Sequence, residues 1–232
     1  MASSSSTVAR TRQANSALHP DDAMALRAAA LSAWAKRNAR IIIGLSALAV
    51  LVVGGLVVWA YLKGQREAQA AEQLMGLRQN PAVATAAGSR ELEGFIQQYD
   101  GTTEADEARL MLAQLRLDAG NPRAAVTELT RLAGSGSSLA PQAGMMLGSA
   151  HAQAGDRPAA IRAYEQAAEK SGLRYQRFEA LGQAALQHEV GGNYAGAVEI
   201  YRRLLADAEP NSEQRTIVEM RMTEALARVG AR

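Results

Sequence analysis

Apolar positions follow two different rules along this chain. From Ile41 to Leu62 the sequence reads IIIGLSALAVLVVGGLVVWAYL, with no charged side chain. Beyond it, apolar residues recur at helical spacing among polar ones. The first pattern predicts a helix that crosses a membrane. At about 1.5 Å per residue it spans roughly 33 Å, enough for a hydrocarbon core of about 30 Å. Backbone amides in lipid must be satisfied within the segment, so a helix is expected despite the valines and paired glycines. Trp59 and Tyr61 stand at its end, where amphipathic rings favour the headgroup layer. The second pattern predicts amphipathic helices. From Gly64 to Leu77 the chain, polar with Ala, Leu and Met, is expected to continue as a helix out of the membrane, which Asn80-Pro81 ends. The next spans Arg90 to Tyr99, with Leu92, Phe95 and Ile96 on one face, and stops at Asp100-Gly101.

Before the apolar run, residues 2–16 have little apolar content and no period, so residues 1–19 are expected to be a disordered tail. His19-Pro20-Asp21-Asp22 marks a helix start, its acids meeting the N-terminal dipole. Residues 20–40 are expected to form a short cytoplasmic helix, either lying on the membrane surface or leading into the anchor through solvent. The apolar run and its N-terminal flank are both too long for a cleaved signal peptide, so residues 41–62 are read as a retained anchor. Arg27, Lys36, Arg37 and Arg40 precede it; Lys63, Arg66 and Arg78 follow. That bias places the N-terminus in the cytoplasm and residues 63–232 outside it.

A repeat appears within residues 63–232. Gly120-Asn121, Gly155-Asp156 and Gly192-Asn193 each separate two amphipathic stretches. Each glycine can close one helix in the left-handed conformation, and Asn or Asp then caps the next. Pro122 suits the first position of its helix. A period of about 34 residues with two helices per unit is the signature of the tetratricopeptide repeat. The residues fit that pattern. Leu112, Ala113, Ala125 and Leu129 mark the first unit. Leu147, Gly148, Ala160, Tyr164 and Ala167 mark the second, and Ala197 with Tyr201 the third. Small residues let paired helices approach; the aromatic or leucine fills the space between them. Leu181-Gly182 lies one period after Leu147-Gly148, so the third unit's first helix is expected to start in register and carry about one extra turn before Gly192. The fold class is therefore all-α: one N-terminal transmembrane helix, then a helix-turn-helix solenoid. The units are expected at 64–100 (degenerate, with Phe95 and Tyr99), 106–139, 141–174 and 178–210, with a capping helix over 212–229. Glu219, Arg221, Glu224 and Arg228 should give that cap a polar outer face.

Charge and composition narrow the function. The net charge is +2. Residues 1–62 hold six basic and two acidic side chains, a net +4, which leaves −2 for the remainder. The solenoid thus lacks the basic footprint that nucleic acid requires. The chain has no cysteine, which excludes disulfides and thiol chemistry. His19, His151 and His188 are scattered, without a carboxylate cluster, and make no metal site. His151 occupies a repeat position between paired helices and is read as structural. Gly134 to Ser138 lacks the lysine of a phosphate loop and is read as a linker. No cofactor, small-molecule substrate or catalytic constellation is indicated, so an enzyme is not expected. What a solenoid offers is a concave face built from its first helices. The register puts Leu110, Gln114, Leu117, Gln142, Met145, Ser149 and Gln153 there. That face is mixed and nearly uncharged, suited to an extended or helical peptide segment. Met145 and Met146 are adjacent, and core packing is the preferred reading for both.

The order of an acid-containing N-terminal helix, an anchor, a degenerate helical pair and tetratricopeptide repeats resembles the bacterial ancillary SecYEG translocon subunit family (YfgM-like). The local points are Ala108 to Gln114 (ARLMLAQ) and Glu219 to Met222 (EMRM), within a likeness over about residues 20–230. The resemblance implies a single-pass inner-membrane protein with a periplasmic repeat domain. It would sit beside the Sec translocon and contact translocon subunits, periplasmic chaperones or emerging secretory proteins. The same features would serve a scaffold in cell division, cell-wall assembly or outer-membrane assembly.

Overall fold

The computed structural model describes residue 29, residues 31–208 and residues 212–231. The expected tail over 1–19, and residues 20–28 and 30 of the helix expected over 20–40, lie outside the described residues. Every described secondary-structure element is a helix. The chain divides into two compact units, Met1–Tyr61 and Leu62–Arg232. In the first unit, residues 31–37 are helical, and Asn38 follows as a turn. The Asn38 Nδ2 group donates to the Trp34 carbonyl at 3.0 Å. Helix α1, Ala39–Gln79, then begins and contributes to both units. Its apolar run is long enough to cross a membrane, and its most apolar 18-residue stretch has no buried residue. The carboxyl end of α1 behaves differently, because Ala70 and Leu74 are buried.

In the second unit, Asn80 and Pro81 end α1. The Asn80 side chain accepts from the Ala82 amide, and Pro81–Ala84 forms one 3-10 turn. Thr85 then caps α2, Ala86–Gln98, by accepting from the Gly88 amide at 3.3 Å. The helix therefore starts four residues before Arg90, where periodicity placed it. Gly88 is required, because a Cβ there would stand 2.3 Å from the Val83 Cα. Asp100-Gly101 ends the segment as expected, with Gly101 at φ +87°.

Six helices follow as three antiparallel pairs, and a seventh closes the stack. They are α3 (Thr103–Asp118) with α4 (Pro122–Gly134), α5 (Ala140–Gln153) with α6 (Arg157–Lys170), and α7 (Arg174–Val190) with α8 (Tyr194–Asp207). Helix α9, Glu213–Gly230, packs on α8. Each helix packs on the next, and α3 touches α5 as α5 touches α7. This is a solenoid. The turn chemistry read from sequence is present at every pair. Gly120, Gly155 and Gly192 have φ of +71°, +82° and +73°. Asn121, Asp156 and Asn193 accept from the amides of Ala124, Ala159 and Gly196. The amides of the same three capping residues bond back to the carbonyls of Arg116, His151 and His188, which closes the preceding helix.

The core runs along the stack as successive clusters. The first joins Ala70 and Leu74 of α1 to Leu92, Phe95 and Ile96 of α2 and Leu112 of α3. The Phe95 and Tyr99 rings lie 4.9 Å apart, tilted by 40°. The next gathers Ala113, Ala125, Leu129 and Leu147; the last gathers Ala185, Ala197, Tyr201 and Leu204 with Val218 of α9. Ion pairs link helices at the rim. Arg116 of α3 bonds Glu93 of α2 at 2.7 Å and Glu128 of α4 at 2.8 Å. Arg203 of α8 bonds Glu165 of α6 at 2.8 Å. Arg109 is buried, its guanidinium shared between Asp106 and Asp100, and Asp100 also accepts from Arg131. These hydrogen bonds, Arg109 first and Arg131 second, hold the Asp100 carboxyl below the usual carboxylate range.

The capping helix is less polar than its charged residues suggested. Glu219, Arg221, Glu224 and Arg228 are exposed. So are Ile217 at 47% and Met220 at 63%, which leaves apolar surface at this end of the solenoid.

Candidate partner-binding face

The first helices of the pairs, α3, α5 and α7, are neighbours, so their outward residues form one continuous face. The small-residue contacts within a pair set which residues point outward. Gly148 of α5 lies under the Tyr164 ring of α6, where a Cβ would stand 2.5 Å from Cε1. Gly144 meets Ala167, with a Cβ position 2.8 Å from the alanine Cβ. These contacts leave Gln142 and Gln153 at the surface and Ser149 at the seam with α6. Gln142 and Gln153 are exposed, and Ser149 is half-buried. Gln153 Nε2 donates to Ser149 Oγ at 3.3 Å. Ser149 also hydrogen-bonds the Tyr164 phenol, whose pKa is raised chiefly by burial. On α3, Gln114 is exposed and donates to Asp118 Oδ1 at 2.8 Å.

The apolar members of the expected set lie deeper. Leu117 is half-buried against the second core cluster. Met145 is half-buried between the last clusters, and Met146 packs on the second, so both methionines are packing residues with one partly open flank. Leu110 departs from expectation. Only 8% of its surface is exposed, and it belongs to the core with Ala113 and Leu129. Leu139, in the turn from α4 into α5, packs on the same cluster.

The face continues on α7, in a register that forward counting missed. Gly182 makes no close contact: nothing lies within 4 Å of a Cβ built there. Ala185 is fully buried instead, in the cluster with Tyr201. Ala185 precedes Gly192 by the interval that separates Gly148 from Gly155. Register is therefore set backward from the turn, not forward from the helix start. The outward residues of α7 become Leu186, Glu189 and Val190. With Arg221, Glu224 and Arg228 of α9 they line a cavity of about 260 Å³. Leu186 and Val190 are exposed at 40% and 57%. Glu189 accepts from the Tyr201 hydroxyl at 2.8 Å and from Arg221 at 3.4 Å. Burial, reinforced by the Glu189 hydrogen bond and charge, raises the Tyr201 pKa. Arg228 lies over the Tyr194 ring, 5.5 Å from its centroid. The signal that finds these residues in sequence is the interval to Gly192.

The sequence also singled out His151, His188 and the linker before α5. His151 is half-buried on α5. His188 Nδ1 lies 3.1 Å from Asn193 Nδ2. The linker from Gly134 to Ser138 is tied down, with Ser135 Oγ donating to the Leu132 carbonyl and Lys170 donating to the carbonyls of Ala133 and Ser135. Among the described residues no group of three or more His, Asp or Glu could hold a metal ion. His19 lies outside them.

The repeated hairpins, their left-handed glycines and the small-residue contacts have a counterpart in known sequences. A family model for the tetratricopeptide repeat-like domain matches residues 32–226. This chain belongs to that family. Tetratricopeptide repeats serve as protein-interaction scaffolds. No curated protein matches the chain. The crystal structure of MamA protein is similar at 19% identity, over 72% of this chain and 90% of that chain, with a TM-score of 0.41. So distant a likeness has no bearing on function.

Proposed function

We propose that this protein is a membrane-anchored, non-catalytic interaction module whose first-helix face holds a segment of a partner protein. The observation that carries the proposal is the joint presence of a 41-residue helix with a membrane-length apolar run and a tetratricopeptide solenoid on one chain. The anchor crosses the bacterial inner membrane once, with the N-terminus cytoplasmic and the solenoid in the periplasm. Tethering raises the effective concentration of the face near other membrane components. Gln114, Leu117, Gln142, Met145, Ser149 and Gln153 make the partner contacts, extended at the C-terminal end by Leu186 and Val190. A nearly uncharged face of carboxamides and a thioether suits an extended or helical segment of low charge.

The partner class follows from the sequence resemblance. The protein acts as an accessory of the Sec translocon and links it to periplasmic chaperones or emerging secretory proteins. Purification of the full-length protein from native membranes in mild detergent tests this directly. Translocon channel subunits together with a periplasmic chaperone are expected to co-purify. A Gln142→Ala/Gln153→Ala double variant is expected to lose the chaperone or secretory client while keeping its fold. Recovery of division, cell-wall or outer-membrane assembly proteins without the channel would replace the translocon role with a scaffold role in that process.

A further inference from the structure

A second cavity shares no residue with the first-helix face. Arg157, Pro158 and Ile161 of α6 form one wall, and Gln187, His188 and Asn193 form the other, around about 460 Å³. That volume falls within the range of roughly 300–1,000 Å³ common to ligand clefts. Pro158 and Ile161 supply apolar surface. The polar side carries two donors without an acceptor. Arg157 is exposed and has no ion-pair or hydrogen-bond partner among the described residues. The nearby acids are engaged elsewhere: Asp156 accepts from the Ala159 amide at 3.1 Å, and Glu165 bonds Arg203 at 2.8 Å.

The second donor is fixed by the cap of α8. Asn193 Oδ1 accepts from the Gly196 amide at 3.1 Å, so its Nδ2 group faces His188. An amide NH₂ can only donate, so His188 Nδ1 must accept, and the proton of the neutral ring sits on Nε2. His188 Nε2–H is thus a donor with no acceptor among the described residues. Gly196 holds the ring in place, since a Cβ there would stand 2.6 Å from Nδ1.

We propose that this cavity is a second peptide site, which takes an acidic side chain flanked by an aliphatic residue. The carboxylate bonds the Arg157 guanidinium, a bidentate match, and the His188 Nε2–H. The aliphatic neighbour covers Pro158 and Ile161. The site lies apart from the first-helix face, so a partner that spans both gains from two tethered contacts.

Fluorescence anisotropy on the full-length protein in lipid nanodiscs tests the site. The probe is a labelled, end-blocked peptide with Leu-Glu-Leu at its centre and uncharged flanks, compared with its Leu-Gln-Leu counterpart. The Glu peptide is expected to bind about ten-fold more tightly, as losing a charge-assisted pair implies. Arg157→Gln is expected to abolish that difference, and Ile161→Ser to weaken both peptides, with helicity by circular dichroism unchanged in each. Gln142→Ala, on the other face, is expected to leave the preference intact. Equal affinity for the two peptides, a Glu preference that survives Arg157→Gln, or no binding up to about 1 mM would each overturn the proposal. Loss of the preference in Gln142→Ala would move the binding to the first-helix face and overturn it as well, while failure of co-purification with a partner would leave it standing.

Discussion

Gly148 lacks a side chain because the Tyr164 ring occupies the space one would need. Alanine normally favours a helix interior over glycine by up to about 1 kcal/mol. At Gly148 the sign should reverse, because a Cβ 2.5 Å from the ring forces the aromatic or the helix pair apart. Gly148→Ala is expected to destabilise by about 1–3 kcal/mol in urea unfolding, the usual cost of overpacking. Gly182→Ala is the control, since nothing lies within 4 Å of its Cβ position, and it is expected to be neutral or stabilising. Equal effects at the two sites would refute the register drawn from Gly192. His188 gives a second prediction at this scale. Burial lowers its pKa, and the charge of Glu165 opposes that only in part. The unfolded chain then binds more protons than the folded one as pH falls below about 6.5. The stabilisation from neutral His188 is present above that pH and is lost as pH drops through the folded value. Thermal unfolding of the wild type is expected to move to lower temperature between pH 7.5 and 5.5 more than that of His188→Gln. Parallel shifts would remove the histidine from the account.

Helix boundaries were the most legible feature of the sequence, because local chemistry fixes them. Each glycine with positive φ ends one helix, and the next side chain begins another, so three residue pairs located six helices. Asp156→Ala is accordingly expected to cost about 1 kcal/mol, read as a lower midpoint in urea with an unchanged slope. Asp156→Asn, which keeps the acceptor, should recover most of that loss. Where periodicity failed, a local device or a distant contact had taken over. The start of α2 was set by Thr85 and the turn at Pro81, not by apolar spacing. In α7 the longer helix let two registers compete. The turn at Gly192 prevailed because Ala185 must sit against Tyr201. Gln114, Gln142 and Gln153 were legible as outward residues because polar side chains at those positions have nothing to bury against. Leu110 was not, because its burial depends on packing between units, which spacing within one helix does not encode.

At the scale of the whole chain, the proposed anchoring raises the question of which side of the membrane would hold the solenoid. The apolar run of α1 separates a flank carrying Lys36, Arg37 and Arg40 from one carrying Lys63 and Arg66. Positive residues are retained on the cytoplasmic side, which favours an extracytoplasmic solenoid. The chain has no cysteine, so one introduced thiol reports its own location without background. Ser138 is exposed in the tethered linker between α4 and α5, far in sequence from the apolar run of α1. Ser138→Cys in the full-length protein is expected to react with a membrane-impermeant maleimide once the outer membrane is opened and the inner membrane left intact. Labelling that appears only after inner-membrane lysis would reverse the orientation. It would also remove periplasmic chaperones and emerging secretory proteins as partners, since neither could reach the first-helix face. The charge bias itself can be tested in the same background. Replacing Lys36, Arg37 and Arg40 with glutamine leaves Lys63 and Arg66 as the dominant flank, and labelling of Ser138→Cys should then fall. If labelling persists, flanking charge does not set the orientation, and the topology of this anchor must be fixed by the folded solenoid or by the N-terminal segment.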